Sequence, residues 1–172
     1  MFLKFFKDFF LKRKLKKSLS NVKNEFSNES IRTVGILIDE SYFTETENLI
    51  NELVTNGIHE ADITLLAYRD TVKKNEIFVN TTFSIKDISW DAEIINADVK
   101  AFMNVNFDLL INYYDVEKAA LLLVSCTTKA GFKVGFSTID KRLNHFMIST
   151  IAENYKIFTD ELFRYLKILN KI

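Results

Sequence analysis

The most regular hydrophobic pattern, in the second half of the chain, predicts a strand, a helix and a second strand. Residues 107–113 form a near-continuous apolar run, which is typical of a strand buried on both faces. Asp115 supplies the side-chain oxygen that a helix N-cap needs, so a helix is predicted over residues 116–128. Gly131 is expected to end that helix, and residues 132–136 resume the strand pattern. A crossover this short between two buried strands predicts a parallel sheet covered by helices.

A second unit of the same kind precedes the first. Residues 32–39 have the pattern of a buried strand. Thr44 and Glu47 are predicted to form a capping box at the start of a helix, which apolar residues at helical spacing continue as far as Gly57. Residues 62–68 then predict the next strand. Two such units in one chain indicate an α/β fold.

The periodicity is weaker elsewhere. Residues 69–90 predict a short edge strand and a loop anchored by Phe83 and Trp90. Three further elements follow: a helix within 92–106, a last strand at 145–151, with an antiparallel edge position as one option, and a helix over 155–172. We therefore expect a three-layer, Rossmann-like α/β domain over residues 27–172, with a mainly parallel sheet of five or six strands.

Residues 1–26 predict one long helix whose apolar stripe changes sides near Leu11, because two groups of apolar residues fall on nearly opposite faces. The first group is Phe2, Phe5, Phe6, Phe9 and Phe10, and the second is Leu11, Leu15, Leu19, Val22 and Phe26. A helix packed along its whole length would keep a single stripe. The leucine half is therefore expected to dock on the domain, and the phenylalanine half to face something else.

The predicted N-terminal helix carries a strong positive charge, which indicates the kind of partner that it binds. The chain has a formal net charge of +0, but residues 1–17 hold seven Lys or Arg against one Asp, a net +6, and the remainder carries −6. With the five phenylalanines, Lys12, Arg13 and Lys16 are predicted to contact either an anionic membrane surface or a protein partner. RNA binding through the lysines and folding of the whole helix onto the body are the two other options, and nucleic acid is the less favoured partner.

No membrane span or export signal is expected. Lys7 and Asp8 interrupt the apolar core that a secretory signal would need, and no uncharged run approaches the roughly 20 residues of a transmembrane helix. Cys126 is the single cysteine and is predicted to be a small buried apolar residue, which suits a reducing compartment. The predicted location is cytoplasmic, with peripheral association at the inner membrane as an option.

Four stretches carry a resemblance to a known family: FSIKDISW, FDLLINYY, KAGFKVGFS and YLKILNKI. Together they resemble a family of small uncharacterised α/β proteins from Bacteroidota. The resemblance covers almost the whole chain, including the basic N-terminal helix, and implies no activity or catalytic residue. Residues 108–135 also look loosely like the nucleotide-sugar glycosyltransferases with two Rossmann domains, a likeness that amounts to one crossover unit.

Polar side chains are predicted where parallel strands end, which is where open α/β sheets bind ligands. The candidate ligand-binding residues are Asp39, Ser41, Asp70, Tyr114, Asp115 and Ser137. The three aspartates could converge on Mg²⁺, but acids at strand ends and helix starts more often serve as caps and turns, and we favour that interpretation.

Catalytic chemistry has little support in the sequence. His59 and His145 have no local partner, and the Gly-rich motifs that cradle phosphates are missing, so no metal and no cofactor are predicted. The expected function is a non-catalytic interaction module held at a membrane or on a partner complex by its N-terminal helix. The alternative is a small enzyme or ligand-binding protein that uses the carboxyl edge of the sheet.

Overall fold

The computed structural model describes residues 11, 13–20, 27, 29–72 and 78–172. Within that part of the chain the sheet has six strands, all of them parallel, so the predicted α/β fold is confirmed. The strands are β1 (Val34–Asp39), β2 (Ile63–Tyr68), β3 (Thr82–Phe83), β4 (Asn106–Tyr113), β5 (Lys129–Phe136) and β6 (Phe146–Ile148). Their order, β3-β2-β1-β4-β5-β6, is that of the Rossmann fold, with the change of direction between β1 and β4.

Helices cover both faces of the sheet and complete the three layers. Four of them are α1 (Thr46–Thr55), α2 (Ala97–Asn104), α3 (Ala119–Thr127) and α4 (Tyr155–Ile168). One buried cluster joins α1 and α4 to Leu109, Ile111 and Tyr113 of β4. A second joins α2 and α3 to Leu110 and Tyr114. Alternate residues of β4 thus face opposite layers, as a strand buried on both faces requires.

The N-terminal helix lies on the α2–α3 side of the sheet. Residues 11 and 13–20 are helical, and Leu11, Leu15 and Leu19 are buried in the same cluster as α3. This position of the N-terminal helix explains the burial of α3, in which every residue from Ala120 to Ser125 is buried. A helix that is apolar on all sides must be covered on the side that faces away from the sheet as well. The predicted docking of the leucine half is confirmed for these three leucines. Residues 1–10 and 21–26 lie outside the described part.

Two predictions near α3 are wrong. Asp115 does not cap α3, which begins after Lys118 without a side-chain cap. Gly131 does not end α3 but lies inside β5, where a Cβ would come within 3.1 Å of Ser27. The helix ends earlier because Lys133 and two threonine hydroxyls donate hydrogen bonds to the backbone carbonyls at its C-terminal end. The predicted last strand is present as β6, and it runs parallel to β5 and not antiparallel, because residues 137–145 carry the chain back to the middle of β5 before β6 begins.

Two predictions in the first half of the chain also fail. The capping box of Thr44 and Glu47 does not form, since α1 begins after Glu45 without a side-chain cap. Trp90 is not a buried anchor of its loop, because 63% of its surface is exposed, whereas Phe83 is fully buried as expected. The loop is held instead by Ile88 and Ile94, which are buried and paired with each other.

Candidate functional site

The carboxyl ends of β1 and β2 meet around the ammonium group of Lys118. Its nitrogen lies 2.6 Å from a carboxylate oxygen of Asp39 and 2.8 Å from one of Asp70. The two acids are fixed in turn by Ser41, whose backbone N–H donates to Asp39 and whose hydroxyl accepts from the backbone N–H of Asp70. Three of the predicted ligand residues are therefore brought together, and a lysine lies between them.

Sequence reasoning missed Lys118, although one signal pointed to it. A lysine at the start of a helix is unfavourable because the helix N-terminus carries partial positive charge. Lys118 is the residue before α3, and its side chain is only 14% exposed. Burial alone would lower the pKa of this lysine, but hydrogen bonds to Asp39 and Asp70 outweigh that effect and hold the pKa above its usual value. Lys118 is therefore charged and is stabilised by partners distant in the sequence.

Two tyrosine rings flank the same ammonium group. The nitrogen of Lys118 lies 4.5 Å from the ring centre of Tyr42 and 5.1 Å from that of Tyr68. These distances allow cation–π attraction, which strengthens as the cation loses water. Burial, followed by the nearby Asp70 carboxylate, raises the pKa of the Tyr68 hydroxyl, so that ring stays neutral. The rings and acids together enclose Lys118 at the point where ligands enter folds of this topology.

A second ion pair closes the neighbouring part of the edge. The guanidinium of Arg69 lies 2.9 Å from one oxygen of Glu40, and the other oxygen accepts from Asn80 and Thr46, each at 3.1 Å. Beside this pair lies a cleft of about 760 Å³ at the start of α1. Glu45 and Glu47 stand on its rim, so the cleft repels phosphate-like anions.

The ends of β4 and β5 form a separate group. The carboxylate of Asp115 accepts from the backbone N–H of Ala152 at 3.0 Å, and its backbone carbonyl accepts from the hydroxyl of Thr138. Ser137 accepts a hydrogen bond from Ser149. Tyr114 is 1% exposed and belongs to the core under α3. Asp115 thus does not join Asp39 and Asp70, and among the described residues the three aspartates do not form a metal site, in keeping with the structural role that the sequence favoured.

A buried amide pair fixes the loop behind this group. The side-chain nitrogen of Asn112, in β4, donates to the side-chain oxygen of Asn144 at 2.7 Å, and both residues are buried. Gly135 pairs with Asn112 in the sheet. Its lack of a side chain provides the space that Asn144 occupies, since a Cβ at this position would lie 2.6 Å from the Asn144 amide nitrogen. The loop after β5 is therefore tied to the centre of the sheet.

Metal and nucleophile chemistry has no geometry to support it in the described residues. No group of three or more His, Cys, Asp or Glu is placed there to hold a metal ion, and Lys118 supplies the positive charge between Asp39 and Asp70. His59 is exposed, and Nδ1 of His145 accepts from the backbone N–H of Lys133. Burial raises the pKa of the half-buried Cys126 thiol to about 11, so it is protonated at neutral pH.

The outer face of the N-terminal helix is basic. Arg13, Lys16 and Lys17 are exposed, and within the described residues none of the three forms an ion pair. We call these three residues the basic face. The structure does not describe the other predicted contact residues, which are Phe2, Phe5, Phe6, Phe9, Phe10 and Lys12. None of the described helices is both long enough and apolar enough to span a bilayer.

The docked helix and the sheet are parts of one recognised unit. A family profile matches residues 7–169, which include the leucines on the inner face of the helix and all six strands. The chain belongs to DUF6913, a family of unknown function. This DUF6913 chain has no match among curated proteins or among solved structures. Because the match begins before Leu11, it includes the segment that forms the docked helix in this chain.

Proposed function

We propose that this DUF6913 protein is a non-catalytic module that binds an anionic membrane surface through its N-terminal helix. The observation that carries the proposal is the division of that helix between two roles. Leu11, Leu15 and Leu19 are buried in the core, while the basic face points to solvent. The α/β body then acts as a rigid mount that holds the basic face outward.

The charge of the helix fits an anionic partner. A basic residue near an anionic bilayer contributes about 1 kcal/mol, so the three residues of the basic face contribute about 3 kcal/mol. That amount gives only weak, reversible binding. The five phenylalanines within residues 1–10 lie on the predicted helix opposite the leucines, which is the side of the basic face. Each buried Phe contributes up to about 1.5–3 kcal/mol, so partial insertion of several would turn weak attraction into stable association.

The alternative, a ligand site or small enzyme at the carboxyl edge, has less support. Asp39 and Asp70 already bind Lys118, and Asp115 binds the backbone of Ala152. A ligand would have to displace a charged lysine that is held by two acids and two aromatic rings. Breaking such buried charge pairs is costly, which favours a structural role for the edge.

The family resemblance adds the setting. From it we infer an origin in Bacteroidota, in which case the anionic surface is the inner face of the cytoplasmic membrane. A protein partner that uses the same helix is the competing outcome.

Vesicle binding of the full-length protein tests this function. We expect co-sedimentation with vesicles of phosphatidylglycerol and phosphatidylcholine in equal parts, and much weaker binding to pure phosphatidylcholine. The difference in binding between the two kinds of vesicle should disappear at high salt, because salt screens the attraction between basic side chains and anionic headgroups. Equal binding to both lipids, or none to either, would reject an anionic membrane and leave a protein partner for the helix.

A further inference from the structure

An exposed tryptophan lies on a tight turn beside the N-terminal helix. The turn comprises residues 89–93: the backbone N–H of Ser89 donates to the carbonyl of Glu93 at 2.8 Å, and the hydroxyl of Ser89 accepts from the Glu93 N–H at 3.0 Å. Ile88 and Ile94, on either side, are buried and paired. Trp90 lies at the tip with 63% of its surface exposed. These contacts fix the turn, and most of the surface of the Trp90 side chain is exposed.

The turn is joined to the N-terminal helix through Lys14. The ammonium group of Lys14 donates to the carbonyl of Ala92 at 3.0 Å and forms an ion pair with Glu93. Trp90 is two residues from Ala92, so it lies close to the helix at the level of Lys14. This contact fixes the rotation of the helix relative to the turn.

Helix geometry then tells which basic side chains share the side of the turn. Successive residues are about 100° apart, which places Lys17 about 60° and Arg13 about 100° from Lys14 around the axis, on the side away from the buried leucines. Lys16 lies about 160° from Lys14, beyond both of them. Lys17 and Arg13 are therefore the members of the basic face nearest to Trp90.

Tryptophan suits the boundary between water and lipid because its ring is apolar and its N–H is polar. The acidic residues of the turn limit how deeply the Trp90 ring can enter the bilayer. Glu93 is neutralised by Lys14, but the hydroxyl of Ser89 binds Asp91 and lowers the pKa of that carboxyl, which therefore stays charged. A charged acid next to the ring restricts contact to the headgroup region.

We infer that Trp90 is a second anchor on the membrane-binding surface, and that the surface consists of the N-terminal helix together with the turn of residues 89–93. The inference rests on the proposed function and adds an orientation: Lys17 and Arg13, on the side of the turn, lie closest to the bilayer, and Lys16 lies at the far margin of the membrane-binding surface. Headgroup-level contact by the indole would supply apolar attachment that the basic face lacks.

The chain contains one tryptophan, so the fluorescence of the full-length protein reports on Trp90 alone. With vesicles of phosphatidylglycerol and phosphatidylcholine, we expect a blue shift of the emission and quenching when the phosphatidylcholine is brominated. If the protein co-sediments with the vesicles while the emission and the quenching stay unchanged, this inference is wrong and the proposed function stands. Failure to co-sediment would reject both.

Substitutions test the same surface by affinity. Trp90→Ala should weaken vesicle binding by about fivefold or more, as loss of an interfacial aromatic contact predicts. Ile157→Ala, which truncates an exposed apolar residue of α4 on the opposite face, is the control and should leave affinity unchanged. Lys17→Glu should weaken binding more than Lys16→Glu. An equal or larger effect of Lys16→Glu would place the turn away from the bilayer and contradict the inference.

Discussion

The ammonium nitrogen of Lys118 lies 2.6 Å from the buried carboxylate of Asp39, and this contact joins the start of α3 to the end of β1. In folds with this strand order, the crevice beyond β1 and β4 is where ligands bind. Here an internal cation lies at that crevice, with Asp70 as its second partner. The arrangement makes the carboxyl edge part of the stabilising framework, which is why we propose the N-terminal helix and not this edge as the contact surface.

Lys118→Met should lower the free energy of unfolding by about 3 kcal/mol, because it leaves the buried carboxylate of Asp39 without its partner. Urea denaturation followed by circular dichroism measures the loss. Lys156→Met, at an exposed position of α4, is the control and should change stability by no more than about 0.5 kcal/mol. If Lys118→Met matched that control, the edge would not depend on the lysine and could be open to a ligand.

Buried Lys133 should give the protein a distinctive dependence on pH. Its ammonium group donates to the carbonyls of Ser125 and Thr128 at the end of α3, and burial lowers its pKa to about 8. Between the folded pKa and the unfolded value near 10.5, the unfolded state binds more protons, so stability rises with pH in that window. Below pH 8 the full cost of burying the charge is present.

Comparison with Lys133→Met isolates this effect, because the tyrosines and Cys126 titrate in both proteins. Between pH 7 and pH 9.5 the wild type should gain about 2 kcal/mol relative to the variant. Urea denaturation at the two pH values measures the change. A difference between the two proteins that does not vary with pH would show that Lys133 titrates normally.

Folding and association should separate along the N-terminal helix. Leu15→Ala removes a buried side chain from the core and should cost about 2–4 kcal/mol of stability. Phe6→Ala, on the side predicted to face the membrane, should cost little stability while weakening vesicle binding. Denaturation midpoints in the absence of lipid decide the matter. Equal losses for the two variants would mean that the phenylalanine half also belongs to the core.

The fold could be predicted because its strongest signals are local. The apolar runs of β1 and β4 can be buried only between two layers of helices. Strands that are joined by short helical crossovers pair in a parallel sheet. The inner face of the N-terminal helix was predictable for the same reason, since Leu11, Leu15 and Leu19 repeat at helical spacing.

The site could not be predicted as well because its contacts are long-range. Asp39 and Asp70 meet Lys118 across 79 and 48 residues of sequence, and no local pattern links them. Asp115 has the local context of a helix cap, yet it binds Ala152, and α3 begins only at Ala119, four residues after Asp115. Trp90 was predicted to anchor its loop together with Phe83, but the base of its turn is filled by two isoleucines. Identifying such partners requires the tertiary structure.

The most direct test of the central claim is the affinity of two charge-matched double variants for vesicles of phosphatidylglycerol and phosphatidylcholine. Lys16→Glu with Lys17→Glu reverses two charges of the basic face, and Lys156→Glu with Lys167→Glu reverses two exposed charges on α4. We expect the first variant to bind at least about tenfold more weakly than the wild type, since each basic residue contributes about 1 kcal/mol, and the second to bind like the wild type. Equal affinity of the two variants would contradict membrane binding through the N-terminal helix.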